Sequence, residues 1–302
     1  LIRKYSDYVR WPIVMDVEQS DWVDSGEKDE NGEPKMEMVT KTEEQTVNSM
    51  IPIWQRSRKE ATDEECIAFY KEKFHDNDDP LAVIRVNAEG LISYRALLFI
   101  PSKVPANMYT RDADPGLELY SSGVMIMDRC TDLLPPCYAF ARGVVDSPDL
   151  SLNISREMLQ HDRQLKLIAA NLGKKIKSEL TKLMTNDREK YEQFHAAFGM
   201  VLRAGAVTET GDKVDEIKDL LLYHTSETKL VSLKEYVDAM PAEQAKIYFA
   251  CGDNVKRLLS LPQAEQLRDK GFDVLCMTSQ IDEYFVDTMK SYDDKPFCNI
   301  AT

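Results

Sequence analysis

Leu165, Ile168, Leu172, Ile176, Leu180 and Leu183 recur at spacings of three or four residues. That period places all of them on one side of an α-helix, and it predicts a helix over 158–184. A single apolar stripe of this length must be buried against another layer of structure. Lys174, Lys175, Lys177 and Lys182 occupy the other faces. They read first as a solvated helix face and second as a patch for phosphate or an acidic partner.

The segments before the stripe read mainly as strands. Trp11–Val17 alternates and reads as a strand, and Met36–Val47 returns as a second, with an acidic stretch at Asp21–Pro34 between them that carries Gly26, Gly32 and Pro34 and reads as a solvated hairpin loop. Thr62 and Glu65 form a capping box at the start of a helix with Ile67, Tyr70 and Phe74 inward. Leu81–Asn87 and Leu91–Ile100 flank Glu89-Gly90, a hairpin signal. Leu117–Met127 reads as one extended run, and Ala141–Val145 as a short strand. After the stripe, Asp187–Gly199 and Lys213–Tyr223 read as helices. Ser232 and Glu235 form a second capping box. Strands at Lys246–Ala250, Phe272–Met277 and Phe297–Ile300 then alternate with helices at Asn254–Leu259, Gln263–Lys270 and Ile281–Met289. Such alternation with short links implies parallel pairing through right-handed crossovers. The expected fold class is α/β: two α/β sandwich units, the first larger with a mixed sheet, the second smaller and mainly parallel, joined by a helical connector. The expected boundaries are 1–185, 186–225 and 226–302.

Charge and chemistry narrow the function. A net charge of −14 argues against non-specific nucleic-acid binding, which needs phosphate neutralisation. No apolar run approaches the roughly 20 residues of a membrane-spanning helix. Cys66, Cys130, Cys137, Cys251, Cys276 and Cys298 form no Cys-x-x-Cys pair, so a zinc site is not expected. They read as reduced thiols, several of them small buried hydrophobes, in a cytoplasmic protein. His75, His161, His195 and His224 lack metal-ligand spacing, and their neighbouring Asp and Ser residues are too common to make a triad. There is no Gly-x-Gly-x-x-Gly after a strand and no Gly-x4-Gly-Lys-Ser/Thr, so the chain carries no phosphate cradle of its own. Leu1 in place of Met, and a stop at Thr302 just after a predicted strand, lead us to expect cuts within a longer protein.

Asp146-Ser147-Pro148-Asp149 has strong turn chemistry, and the run Ser151–Gln160 follows it directly. Ser155 or Asn153 caps the coming helix. Arg156 then sits in or just before the first turn, where a helix already carries partial positive charge. It serves either as a surface partner of Asp149 or Glu157, or as a cation held for something outside the helix. Trp54, between Ile53 and Gln55-Arg56, reads as core or as an exposed anchor.

Asn153-Ile154-Ser155-Arg156-Glu157-Met158-Leu159-Gln160 resembles the middle-domain loop signature of the ninety-kilodalton heat-shock chaperone family. Ile51-Pro52-Ile53-Trp54, Glu89-Gly90, Leu97-Leu98-Phe99-Ile100-Pro101 and Ile281-Asp282-Glu283-Tyr284 agree in order, so the resemblance runs from about Leu1 to Ile300. The chain looks like the middle portion of a bacterial member, of the high-temperature protein G type. Two runs depart from the pattern, Gly123–Met127 and Pro135-Pro136-Cys137, and Tyr284 stands where many members have Trp.

The resemblance implies an ATP-dependent chaperone in which 1–185 carries the catalytic loop. Arg156 is implied to contact the γ-phosphate of ATP, with its Mg, held by a separate N-terminal domain. Gln160 is implied to help that domain dock, and Asn153 to order the loop. Trp54, Glu283 and Tyr284 are implied to form accessible surface that contacts partly folded clients; Phe285 and Met289 either extend that patch or form the helix's core face. The implied fragment binds no cofactor itself, does not turn over alone, and dimerises only through a C-terminal domain of the full protein. The rival readings are a stand-alone interaction module with no ATPase role, and an autonomous α/β enzyme.

Overall fold

The computed structural model describes residues 1–28, 34–105, 115–150, 163–207 and 213–301. In chain order, a short helix α1 (Ile2–Tyr5) leads into strands β1 (Val14–Lys28) and β2 (Pro34–Thr46), then a 3-10 turn at Ile53–Gln55 and helix α2 (Asp63–Phe74). Strands β3 (Ala82–Ala88), β4 (Tyr94–Ile100), β5 (Leu117–Ser121), β6 (Val124–Cys130) and β7 (Arg142–Asp146) follow. Helices α3 (Arg163–Asn186), α4 (Arg188–Ala206) and α5 (Val214–Ile217) come next. The rest is β8 (Leu222–His224), β9 (Leu230–Ser232), α6 (Leu233–Asp238), β10 (Ile247–Cys251), α7 (Val255–Leu259), α8 (Pro262–Asp269), β11 (Leu275–Met277), α9 (Asp282–Met289), β12 (Ser291–Tyr292) and β13 (Lys295–Asn299).

β3 to β7 make a five-stranded sheet in the order β3-β4-β7-β5-β6. Only β5 and β7 pair in parallel; the other neighbours are antiparallel. The sheet is apolar on both faces because alternate residues of one strand enter different cores. Ala96, Leu98 and Ile100 of β4 join a core with Leu165, Ile168, Leu172, Ile176 and Leu180 of α3. Leu97 and Phe99 of the same strand join a second core with Cys66 and Tyr70 of α2. The expected stripe is therefore the face of α3 that covers the sheet. Each fully buried Leu or Ile on it contributes about 1.5–3 kcal/mol. The α2 capping box is present: Glu65 N donates to Thr62 Oγ1 at 3.3 Å and Thr62 N to Glu65 Oε2 at 2.8 Å.

The second sheet has six strands in the order β12-β13-β10-β11-β8-β9. Its centre, β13-β10-β11, pairs in parallel as the alternation of strands and helices implies. The flanks β8-β9, β11-β8 and β12-β13 are antiparallel. The α3-side core continues through Tyr191, Phe194 and Phe198 of α4 to Leu275, Phe285 and Tyr292 of the second sheet and its helices. Gly205 lets α4 lie on the Pro136–Tyr138 turn, because a Cβ there would fall 2.2 Å from Cys137 N.

Three local expectations are corrected. The run 117–127 is two strands, split at Ser122-Gly123, whose φ angles of 50° and 81° suit a tight hairpin turn. The segment 213–223 is one turn of α5, a 3-10 turn and then β8, since Leu220, Leu221, Leu222 and Tyr223 are all buried and so form no one-sided stripe. The acidic stretch 21–34 is largely strand: β1 runs to Lys28 and β2 starts at Pro34, with Trp22 opposite Met38. This ladder is a separate two-stranded sheet, and Ser20, Asp21, Thr40 and Glu43 are exposed on it.

Candidate functional site

Strand β7 ends at Asp146, which is 4% exposed. Its Oδ2 accepts from Trp54 Nε1 at 3.1 Å and from Gln55 Nε2 at 2.9 Å. Its Oδ1 accepts from Gly123 N at 3.4 Å. A buried carboxylate needs donors in this way to offset lost hydration. The residues that follow are also held. Ser147 N donates to Tyr120 O at 3.1 Å, and Ser147 Oγ to Ser93 O at 2.7 Å. Ser93 N donates to Asp149 Oδ2 at 2.6 Å, and Ser121 Oγ to Leu150 O at 2.6 Å. The chain from 146 to 150 is thus a fixed stem against the β3–β4 turn and β5. Beside it opens a cleft of about 520 Å³, with Tyr8, Arg10, Arg95 and Pro148 in its wall.

Asn153, Arg156 and Gln160 lie outside the described residues, as does His161. The stem delivers the chain to the start of that run.

Trp54 departs from the expected accessible position: it is 6% exposed. Its ring packs edge-on to Tyr8 at 4.6 Å and against Tyr120 at 5.1 Å and Phe69 at 6.0 Å. The indole N–H finds its partner in Asp146, so both the apolar body and the polar tip are satisfied inside. A surface role for Trp54 is therefore corrected to a core role.

Glu283 and Tyr284 are exposed on α9, Tyr284 by 62%. Phe285 and Val286 of the same helix are buried, and Met289 packs partly buried against the core, so those residues are the helix's inner face. Asp282 ahead of them is buried, accepts from Ser279 N at 3.0 Å and pairs with Arg203 of α4 at 2.6 Å. The structure thus puts Trp54 under the first sheet and the Glu283–Tyr284 pair on the outside of a helix in the second unit.

Asp146 and the Arg203–Asp282 pair escaped sequence reasoning. Asp146 had one legible signal, an acid directly after the apolar Val144-Val145. Arg203 and Asp282 lie far apart in the chain, and nothing local marks them as partners. Among the described residues, no group of three or more His, Cys, Asp or Glu is placed to hold a metal ion. No helix among them is long and apolar enough to cross a membrane.

The sequence model of the Hsp90 protein family matches residues 1–302. The chaperone protein HtpG of Oceanobacillus iheyensis is 49% identical over 303 residues, which cover 100% of this chain and 47% of that protein. HtpG of Bacillus subtilis is likewise 49% identical, with the same coverage. The chain therefore spans about half the length of these curated relatives. The solved middle domain of a Plasmodium falciparum heat shock protein superposes with a TM-score of 0.73 at 28% identity, covering 83% of this chain and 100% of that one. A match over the whole chain, relatives near half identity and a shared middle-domain fold lead to one conclusion: the chain belongs to the Hsp90 protein family.

Proposed function

We propose that this chain is the middle segment of an ATP-dependent molecular chaperone. It supplies Arg156 to the γ-phosphate of ATP that a separate N-terminal domain holds with Mg. The observation that carries this reading is the family match across residues 1–302, which includes the loop run 153–160. An arginine delivered to a phosphate bound elsewhere needs no cradle in its own domain, which fits a chain without phosphate-binding glycine motifs. Its planar guanidinium can face two phosphate oxygens at once and offset the charge that builds up on them. Such an arginine contributes on the order of 10³–10⁵ in rate. Gln160 supports docking of the N-terminal domain and Asn153 orders the loop.

Client proteins that are partly folded contact Glu283 and Tyr284. Their exposure on a helix whose other side is firmly buried supports this assignment. The full protein works in the cytoplasm as a homodimer joined through a C-terminal domain. In this reading 1–185 forms the unit with the catalytic loop, 186–225 the connector and 226–302 the second unit. The test is ATP turnover by residues 1–302 alone and joined to the N-terminal domain. Turnover only in the joined form is expected; turnover by 1–302 alone at the same rate would favour an autonomous enzyme.

A further inference from the structure

Arg85 and Asn87 of β3 stand opposite Leu97 and Arg95 of β4 in the antiparallel ladder, and alternation puts all four on the α2 side of the sheet. Together with the segment 53–60 they line a cleft of about 340 Å³. Arg56, Arg58, Arg85 and Arg95 are in its wall, against one acid, Glu60. This gathers positive charge on a chain whose net charge is −14. Like charges around one cleft repel, and the cost falls when an anion joins them. Glu60 answers little of that charge, because its Oε2 already accepts from Ser57 N and Ser57 Oγ, both at 2.9 Å.

Neutral oxygens orient these arginines more than carboxylates do. Arg95 donates from Nη1 to Gln55 O at 2.9 Å and from Nε to Asn87 Oδ1 at 3.3 Å. Arg56 donates from Nη2 to Ile51 O at 3.1 Å. Such bonds hold a guanidinium in place without cancelling its charge. Arg58 has no hydrogen bond or ion pair among the described residues. Nη2 of Arg85 serves Ala61 O, Thr62 O, Asp63 Oδ1 and Cys66 Sγ, whereas its Nε and Nη1 are buried with no acceptor. Asp63 lies 3.3 Å from Arg85 with its side chain 73% exposed, so water screens that pair.

We propose that this cleft binds a small phosphate anion of the pyrophosphate class through Arg56, Arg58 and Arg95, with Arg85 adding its charge from the sheet. Planar guanidinium forks match phosphate oxygens two at a time. Four cations favour a multiply charged anion over a single carboxylate. The cleft has many times the space that one water needs, enough for a two-phosphate anion with water around it. Binding rests on side chains and uses no glycine loop, so phosphate motifs in the sequence do not reveal it. No residue of this site belongs to the loop run 153–160, and the ATP contact is a separate matter.

The experiment is a calorimetric titration of pyrophosphate into the full-length protein that contains this chain. Ionic strength is fixed, and excess ADP is present throughout to keep the nucleotide site filled. Arg58→Ala and Arg95→Gln are compared with Lys59→Ala, which removes an exposed charge beside the lining. Pyrophosphate is expected to bind with a submillimolar Kd. Arg58→Ala and Arg95→Gln should each weaken it about tenfold, because each loses charge-assisted hydrogen bonds. Lys59→Ala should weaken it by less than about twofold. Arg58 is exposed, so Arg58→Ala reports even if Arg95→Gln disturbs the β3–β4 hairpin; melting temperatures without pyrophosphate check the fold. Succinate, with fewer charges, should bind at least about tenfold more weakly. The proposal is overturned if pyrophosphate does not bind, if Arg58→Ala and Lys59→Ala lose affinity equally, or if succinate binds as tightly.

Discussion

Arg203 Nε lies 2.6 Å from Asp282 Oδ1, in a pair whose side chains are 8% and 2% exposed. At this distance the two charges form a buried ion pair. It pins α4 to the first residue of α9, the helix that presents Glu283 and Tyr284. Arg203 also donates to Leu222 O at 3.2 Å and lies over the Tyr223 ring. Burial pushes the Asp282 carboxyl above its ordinary range, and Arg203 pulls it back. Two charges out of water are tolerable only together. Arg203→Met or Asp282→Leu alone should each cost about 3–5 kcal/mol, because each leaves an uncompensated buried charge. The double variant should lose clearly less than the sum of the two. Denaturant unfolding of the three variants checks this, and additive losses would show that the pair is not coupled.

His195 of α4 should make stability fall in mild acid. Burial, with Arg203 and Arg188 nearby, holds its imidazole well below the usual 6.5. The neutral ring accepts from Leu222 N at 3.0 Å through Nε2, a role that the protonated ring cannot fill. The unfolded chain takes up a proton as pH drops below about 6.5, whereas the folded chain does not. This contribution is therefore flat above that pH, and below it stability is lost by about 1.4 kcal/mol per pH unit until the folded ring protonates. His195→Gln keeps an acceptor and removes the titration. Unfolding free energy measured from pH 4 to 8 should show a shallower acid slope in the variant. An unchanged slope would clear His195 of this role.

Trp54→Ala should be strongly destabilising. The ring fills an aromatic core and its N–H serves Asp146, so both a cavity and a buried acceptor short of a donor result. The expected cost is about 3–5 kcal/mol. Thermal melting of the isolated chain is the check. A melting temperature near the original would mean that the indole stands at the surface after all.

Tyr284→Ala should behave in the opposite way. Its ring is exposed, so folding stability should change by no more than about 0.5 kcal/mol. Binding to a partly unfolded protein should weaken by about 2 kcal/mol if Tyr284 is an anchor of that contact. Titration of a fluorescently labelled, reduced unfolded protein measures it, and unaltered affinity would remove Tyr284 from the client surface.

Much of this was legible in the sequence wherever the signal was local. The stripe from Leu165 to Leu180 faces the core as its period demands. Both capping boxes, Thr62 with Glu65 and Ser232 with Glu235, are formed. The outward position of Glu283 and Tyr284 agrees with what the family resemblance implies, whereas for Phe285 the sequence left patch and core face open and the structure puts it inside. What escaped was set by distant partners or by backbone torsion. Trp54 takes its side from an acid 92 positions along the chain. Ser122 and Gly123 break a strand because both accept positive φ, within a run that reads as continuous by polarity. The β1–β2 ladder has no further sheet neighbour, so the acidic stretch at the end of β1 carried no sustained apolar face from which its strand could be read.

The most direct test is ATP turnover by the full-length protein with Arg156→Ala, measured beside its ATP affinity. Turnover should fall by on the order of 10³ or more, with affinity nearly unchanged because another domain holds the nucleotide. Arg156→Lys should recover little, since a single ammonium cannot replace the planar fork. Turnover close to that of the unaltered protein would contradict the account and take Arg156 out of the chemistry.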